Sequence, residues 1–303
     1  MNSAIIFIKN EYELNLAKSF ILGKMLIEYT LRELNRLDLD KIYLCGAFDE
    51  SIRGVIKYES VRDAINDLKD NEGKCLLLSP FYPLVTKREY SNLLNSEDAD
   101  GAVSIDADGA CAFFMLPNNR LEDFESIDFR FLDVEVEQNV RVNNTLDVIK
   151  VSKLIQDRIN LKHVLSGVKI LDPNNTYISQ DVVIDKNTVI YPNTVIEGKC
   201  LIGKNNVLTS GTYLKNVIMG NDNRIKSSYI TNSMICNRSN IGPYVHIHRD
   251  CEIMDDVVIE AHGQIKKSKI DKFSKIKANT VVEYSTVISG TVEDLENSDK
   301  VIF

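Results

Sequence analysis

The sequence predicts two domains, a Rossmann-like α/β domain followed by a parallel β-helix built from hexapeptide repeats. Two observations predict this fold. Aliphatic residues recur at every sixth position from residue 178 to residue 288, and strand-like and helix-like segments alternate before residue 145. The length of 303 residues also fits two domains, since a domain takes about 150 residues.

The six-residue repeat is the most specific pattern in the chain. Helices repeat every 3.6 residues and strands every 2, whereas a repeat of six is typical of a parallel β-helix. Each unit forms one flat side of a triangular coil, so like residues stack about 18 positions apart and only the stack buries a core. The predicted inward residues, separated by steps of six and occasionally five, are Ile178, Ile184, Ile190, Ile196, Ile202, Leu208, Leu214, Met219, Ile225, Ile230, Ile235, Ile241, Ile247, Ile253, Ile259, Ile265, Ile270, Ile276, Val282 and Ile288.

The first half of the chain alternates short apolar runs with amphipathic segments. Buried strands are predicted at 4–8, 41–45, 75–78, 102–105 and 111–116, and helices at 12–36, 59–69 and 86–95. This alternation favours a parallel sheet covered on both faces. An amphipathic helix is predicted over 146–160, with Leu146, Ile149 and Leu154, and Val148 and Val151 as further candidates, turned to the body of the protein. The predicted boundaries are 1–145 for the α/β domain, 146–168 for the connecting helix and linker, and 169–303 for the β-helix.

Composition excludes several classes of protein. The net charge of −8 argues against a nucleic-acid binder. No run approaches the roughly 18 apolar residues of a membrane span, and the first residues lack the basic and apolar regions of a signal peptide. Six cysteines without a C-x-x-C pair indicate reduced thiols. We therefore expect a cytoplasmic protein.

The turn after the first strand is unsuited to phosphate. Nucleotide-binding α/β domains place glycines there so that backbone amides approach the phosphates. Residues 9–13 contain no glycine and two carboxylates, Glu11 and Glu13. After the third strand, Phe81 stands where a metal–nucleotide enzyme would need a carboxylate for Mg²⁺.

Four segments resemble the bifunctional bacterial N-acetylglucosamine-1-phosphate uridylyltransferase/glucosamine-1-phosphate N-acetyltransferase family. They are residues 142–178 at the domain junction, IYPNTVIEG at 190–198, IGPYVHIHRD at 241–250 and IKKSKI at 265–270. The resemblance implies a nucleotidyltransferase-type first domain, a left-handed β-helix and a homotrimer assembled through the β-helices.

The same resemblance locates the family's functional positions in this chain. Its two metal ligands correspond to Phe81 and Asn143, so only Asn143 keeps a ligating side chain, as a vestige. The phosphate-binding arginine corresponds to His248 and its lysine partner to Lys266. The general base corresponds to Ala278, and general-base help is worth about 10²–10⁴-fold in rate.

One residual binding site is predicted on the β-helix. Because His248 and Lys266 are 18 positions apart, they should lie on adjacent coils, and a step of five places Glu283 next in the same column. These three residues, with Tyr244 as a ring for stacking on a sugar, are the candidate phosphosugar site. His246, His248 and His262 are interpreted as solvent-facing residues of the β-helix wall, and a metal site formed by these three histidines is the weaker alternative.

Two functions remain open from the sequence. The first is a trimeric scaffold or regulator in cell-envelope sugar metabolism that catalyses neither family reaction, binds no cofactor and has a protein partner in cell-wall precursor synthesis. The alternative is a sugar-phosphate acyltransferase or nucleotidyltransferase, or a binder of sugar phosphates or sugar nucleotides, with a rearranged site at the interface between β-helices.

Overall fold

The computed structural model describes residues 2–95, 102–105, 111–123, 130–132 and 140–292. The chain divides into two compact units, Met1–Lys153 and Leu154–Phe303, so the division falls inside the connecting helix. No helix in these ranges combines the length and hydropathy needed to cross a membrane.

The first unit is an α/β domain around a seven-stranded sheet in the order β5-β4-β1-β6-β8-β7-β9. Strands β5, β4, β1 and β6 run parallel, as predicted, whereas β8 is antiparallel to both β6 and β7. Only five residues separate β7 from β8, too few for the crossover that a parallel pair requires. The strands are β1 Ser3–Phe7, β2 Phe20–Ile21, β3 Lys24–Met25, β4 Lys41–Cys45, β5 Ile56–Tyr58, β6 Lys74–Leu78, β7 Ala102–Ile105, β8 Cys111–Pro117 and β9 Arg130–Leu132.

The prediction of one helix over 12–36 is wrong. The segment forms α1 Glu11–Ala17, the hairpin β2–β3, and α2 Leu26–Leu34. Leu22 and Gly23 both have positive φ, which breaks the helix and turns the chain between the two short strands. Gly23 supplies this conformation without a steric cost. The other two helices agree with the prediction, α3 at Val61–Leu68 and α4 at Lys87–Leu94.

The second unit is the predicted parallel β-helix. One face is the ladder β10-β13-β16-β18-β20-β23-β26-β29, a second follows β11, β14, β17, β19, β21, β24 and β27, and the third follows β12, β15, β22, β25 and β28 with the second halves of β17 and β19. The strands are β10 Lys169–Ile170, β11 Thr176–Ile178, β12 Val183–Ile184, β13 Val189–Ile190, β14 Thr194–Glu197, β15 Leu201–Ile202, β16 Val207–Leu208, β17 Tyr213–Met219, β18 Arg224–Ile225, β19 Tyr229–Ile235, β20 Asn240–Ile241, β21 His246–His248, β22 Glu252–Ile253, β23 Val258–Ile259, β24 Gln264–Lys266, β25 Lys269–Ile270, β26 Lys275–Ile276, β27 Val281–Glu283, β28 Thr286–Val287 and β29 Thr291–Val292.

Nineteen of the twenty predicted inward residues are buried, from Ile178 through Val282. The prediction for Ile288 is wrong, because this residue is 53% exposed and Val287 is buried in its place. Val287 pairs in register with Ile270, which itself follows Ile265 by five residues. The shortened corner is thus repeated in the next coil, so the inward residue again comes after a step of five.

The connecting helix α5 spans Thr145–Leu165, longer than the predicted 146–160. The predicted inward face is wrong for three residues, since Leu146, Ile149 and Leu154 are exposed. The buried apolar residues are Val148, Val151, Ile155 and Ile159. Two polar residues of the same buried side, Gln156 and Asn160, explain this orientation of α5.

Gln156 and Asn160 join α5 to the first coil. The Gln156 side-chain amide donates to the carbonyls of Pro173, Asn174 and Thr176 at 3.1, 3.0 and 2.8 Å. The Asn160 amide donates to those of Pro173 and Thr176 at 2.8 and 3.0 Å. Both side chains are buried. They satisfy carbonyl groups at the end of the ladder, where no further coil can pair with them.

His163 lies one turn further along α5 and is also buried. Burial lowers the pKa of its imidazole to about 4, with Lys162 contributing. The imidazole is therefore neutral at neutral pH and belongs to the packed cap of the β-helix.

Candidate functional site

The turn after β1 is closed by this chain's own side chains. The backbone amide of Lys9 donates to the Glu13 carboxylate at 2.7 Å, and the amide of Glu13 donates to Asn10 Oδ1 at 2.9 Å. Asn10 thereby caps α1. The Glu13 carboxylate thus occupies the Lys9 amide, which in a nucleotide-binding turn would be available to a phosphate. The negative charge of this carboxylate also repels an anion.

The structure brings Phe81 and Asn143 close together, as the resemblance implies for the two metal ligands. The amide of Val142, next to Asn143, donates to the Phe81 carbonyl at 2.8 Å. The Phe81 side chain is only 2% exposed and supplies no oxygen. The Asn143 carbonyl accepts from the Tyr12 hydroxyl at 2.8 Å. These residues do not fit Mg²⁺, which prefers carboxylate and water oxygens.

A cavity of about 810 Å³ lies at the carboxyl ends of β1, β4 and β6 and was not predicted from the sequence. Phe7 and Cys45 end β1 and β4, Leu77 is the last residue but one of β6, and all three line the cavity. Lys9 and Arg62 add polar groups. Ligands of open α/β sheets bind at such an edge. Burial raises the pKa of the Cys45 thiol to about 12, so the thiol is not a nucleophile at neutral pH.

On the β-helix, the structure places His248, Lys266 and Glu283 in one column. His248 pairs in register with Lys266, and Lys266 with Glu283. The Lys266 ammonium lies 3.2 Å from both carboxylate oxygens of Glu283. It also lies 5.1 Å from the ring centre of Tyr284, which Lys267 approaches at 5.7 Å. The lysine is therefore fixed by an ion pair and a cation–π contact.

Tyr244 does not join this column. It occupies the corner before β21, whereas His248 is the last residue of that strand. The Tyr244 ring is exposed and stacks on His262, with ring centres 5.3 Å apart. A sugar bound at Lys266 would meet Tyr284 before it met Tyr244. The pairing of Tyr284 with Lys266 depends on side-chain placement at a corner, which residue spacing does not reveal.

The two histidines of β21 are perturbed in the same direction. Partial burial lowers the pKa of His248, and the positive charges of Arg249 and Lys266 lower it further. Partial burial and the neighbouring His248 lower the pKa of His246. Both imidazoles are therefore neutral at neutral pH, so neither provides a fixed positive charge for a phosphate.

The position of the family's general base holds no titratable side chain. Ala278 contributes its backbone amide, which donates to Glu260 at 3.2 Å. Glu260 is itself paired with Lys275 at 2.8 Å, which lowers the pKa of its carboxyl group. A carboxylate held as an anion by a lysine is a poor acceptor for a proton from an amine.

The two units define the class of the protein as an α/β domain joined to a hexapeptide-repeat β-helix. The family model of the GMPPB C-terminal domain matches residues 174–251. The chain is 40% identical over 139 residues to the bifunctional protein GlmU of Geobacillus sp. strain WCH70, and 33% identical over 156 residues to that of Listeria monocytogenes serotype 4a. These alignments cover 46% and 52% of this chain but only 30% and 34% of the relatives.

The family resemblance predicted from the sequence is therefore confirmed over about half of the chain. The chain spans about a third of the length of these relatives. Among solved structures, a homologue of Mycobacterium tuberculosis rv0371c from Mycobacterium sp. strain JC1 and a 4-diphosphocytidyl-2C-methyl-D-erythritol synthase each align with 51% of the chain. Both have a TM-score of 0.42, at 17% and 12% identity, and are covered over 96% and 99% of their own lengths.

Proposed function

We propose that this protein is a cytoplasmic homotrimeric scaffold or regulator in cell-envelope sugar metabolism and catalyses neither reaction of the bifunctional family. The observation that carries this proposal is the buried Phe81 ring beside Asn143, because a metal-dependent nucleotidyl transfer needs a carboxylate at that position. The closed turn at residues 9–13 supports it independently. A protein partner in cell-wall precursor synthesis completes the proposal.

Loss of acetyl transfer is supported by the second unit. Ala278 cannot accept a proton, and Glu260 beside it is held as an anion by its ion pair with Lys275. A glucosamine amine is protonated for the most part at neutral pH and reacts only as the free base. Without a general base the remaining rate falls by about 10²–10⁴-fold.

A homotrimer is supported by an exposed aliphatic ladder on the third face of the β-helix, formed by Val183, Leu201, Ile218 and Met234. Each residue pairs in register with the next, and the first three are half exposed. Around a three-fold axis parallel to the β-helix axis, side chains that point at the symmetry axis meet their own copies at the same level. A self-contact of this kind suits aliphatic side chains and excludes unpaired charges.

The first prediction concerns turnover. Purified protein is expected to give no product above background from UTP with N-acetylglucosamine 1-phosphate, or from acetyl-CoA with glucosamine 1-phosphate. Coupled release of pyrophosphate and of free thiol measures the two reactions. Turnover that disappears in Asn143→Ala or Lys266→Ala would contradict the proposal, since the activity would then depend on residues of this chain and not on a contaminant.

Binding of a phosphosugar beside Lys266 is the second candidate function. It is favoured by the position of Lys266, whose ammonium is held next to His248 by its contacts with Glu283 and the Tyr284 ring. Binding should be loose, because a neutral imidazole replaces the two-pronged contact that an arginine gives to phosphate. The lowered pKa of His248 means that its positive charge appears only below its usual value near 6.5.

Calorimetry tests this second candidate. Glucosamine 1-phosphate should bind more tightly at about pH 5.8 than at about pH 7.5, to the extent that His248 takes up a proton. Lys266→Ala should abolish the heat, and His248→Arg should strengthen binding at both pH values. Lys269→Ala is the matched control, since Lys269 is also ion-paired on the β-helix, to Glu252 at 3.1 Å. Equal heats in the two alanine variants would show that the column of His248, Lys266 and Glu283 does not bind the phosphosugar.

A further inference from the structure

His246 and His248 form a pair of imidazoles on the outer side of one strand. They flank Ile247, whose side chain is fully buried, so both rings leave β21 on the opposite, solvent side. The ring centres are 4.3 Å apart and the ring planes differ by only 13°. Tyr229, on the preceding coil, contacts His246 edge-on at 5.0 Å. This packing restricts the rotation of the first ring and holds the pair together.

The separation of the rings is suited to one shared cation. A zinc–imidazole bond is about 2.0–2.1 Å long, so an ion between two such nitrogens joins atoms no more than about 4.2 Å apart. Because an imidazole lone pair lies in the ring plane and the two planes are nearly parallel, ligation requires the His248 ring to turn about its side-chain torsions until one nitrogen of each ring faces the same ion. Imidazole is a preferred ligand of zinc, nickel and copper.

The electrostatic surroundings permit a cation despite the lysines nearby. Both rings are half-buried on the outer side of β21, so an ion in solution can reach them. The Lys266 ammonium is already compensated by two contacts with Glu283. Arg249 is the remaining positive neighbour of His248, and it follows the strand at an exposed corner, where water screens its charge.

We propose that His246 and His248 chelate one divalent late-transition cation, of the kind represented by Zn²⁺, Ni²⁺ and Cu²⁺. This inference goes beyond the proposed function, which involves no metal. Within the described ranges no cluster of three or more His, Cys, Asp or Glu side chains is arranged to hold an ion. The chelate therefore has two protein ligands, and water or an anion fills the other coordination positions. A moderate affinity and exchangeable ligands follow from this coordination.

Nickel is the appropriate probe, because it favours imidazole and does not oxidise the cysteine thiols. Calorimetric titration of the untagged chain with Ni²⁺ should give one ion per chain. His246→Gln and His248→Gln should each lower the affinity at least about tenfold, since each variant keeps one imidazole ligand and loses the gain from the second ligand on the same chain. His262→Gln is the matched control, because His262 is exposed on the β-helix and stacks on Tyr244 instead.

Ring signals of the histidines provide a readout that a change in folding would not imitate. The chain has four histidines, so ring-labelled protein gives four resolvable signals. Substoichiometric Ni²⁺ should broaden those of His246 and His248 before those of His163 and His262. The proposal is overturned if Ni²⁺ does not bind at millimolar concentration or if affinity is unchanged in the double His246→Gln, His248→Gln variant. It is also overturned if Cys236→Ser, rather than the histidine variants, removes binding.

Discussion

Replacement of both Gln156 and Asn160 by leucine should destabilise the β-helix by at least about 3 kcal/mol, because three carbonyls lose these donors and a buried carbonyl left without a donor costs about 1–3 kcal/mol. Asn160 donates to the carbonyls of Pro173 and Thr176 from a buried position, and leucine has nearly the same shape but no donor. Each single variant should cost less, because the carbonyls of Pro173 and Thr176 accept from both amides and keep one donor when either amide is lost. The double variant should therefore cost more than the sum of the two single variants, since only the loss of both amides leaves the shared carbonyls without these donors.

Urea denaturation, followed by circular dichroism, measures this effect on the full chain. Amide hydrogen exchange locates it: the amides of Lys169 and Leu171, which donate to the second coil, should lose protection first. Leu161→Gln is the control, because it changes an exposed residue of the same helix and should alter stability by less than about 0.5 kcal/mol. A double variant as stable as this control would show that α5 does not cap the coils.

This cap also explains where sequence patterns fail on α5. Apolar residues occur around much of the helix, so periodicity alone does not identify its buried face. Gln156 and Asn160 decide the orientation through hydrogen bonds to a segment 13 to 20 residues later in the chain. Leu146, Ile149 and Leu154 are consequently exposed. Long-range satisfaction of backbone carbonyls thus outweighs the burial of aliphatic side chains here.

The β-helix was predictable because its period is strict and each aliphatic residue of the repeat has a single buried position in its coil. Its single error, Ile288, arose from a choice between a step of six and a step of five. Val287 and Ile288 are both aliphatic, so composition could not decide between them. The strand register decides, since Val287 must face Ile270 on the coil below. The hairpin that interrupts the predicted helix at 12–36 had one signal, Gly23, which periodicity outweighed.

The sequence predicted which residues of the candidate site stack in one column of the β-helix, but not which side chains contact one another. Spacings of 18 and 17 place His248, Lys266 and Glu283 on successive coils, and the register has this arrangement. The stacking of His246 on His248, and of Tyr284 beneath Lys266, depends on side-chain rotamers. The cavity at the ends of β1, β4 and β6 depends on how α3 packs on the sheet. None of these is encoded in residue spacing.

Glutamate substitutions in the aliphatic ladder should convert the proposed trimer to monomers. In a trimer whose three-fold axis is parallel to the β-helix axis, Leu201→Glu and Ile218→Glu place three carboxylates at each of two adjacent levels. Desolvation of each unpaired carboxylate costs several kcal/mol, and repulsion between like charges adds to it. Light scattering at micromolar concentration should therefore give the mass of three chains for the parent and of one chain for the double variant.

Val281→Glu is the matched control for this experiment. Val281 is 55% exposed, against 52% for Leu201, but it lies on the second face, outside the aliphatic ladder. The control should remain trimeric, and circular dichroism should show an unchanged strand signal in all variants, since outward positions do not enter the core. A monomeric parent would refute the homotrimer itself. A trimeric double variant would instead move the interface to another face, because the ladder would then be open to solvent.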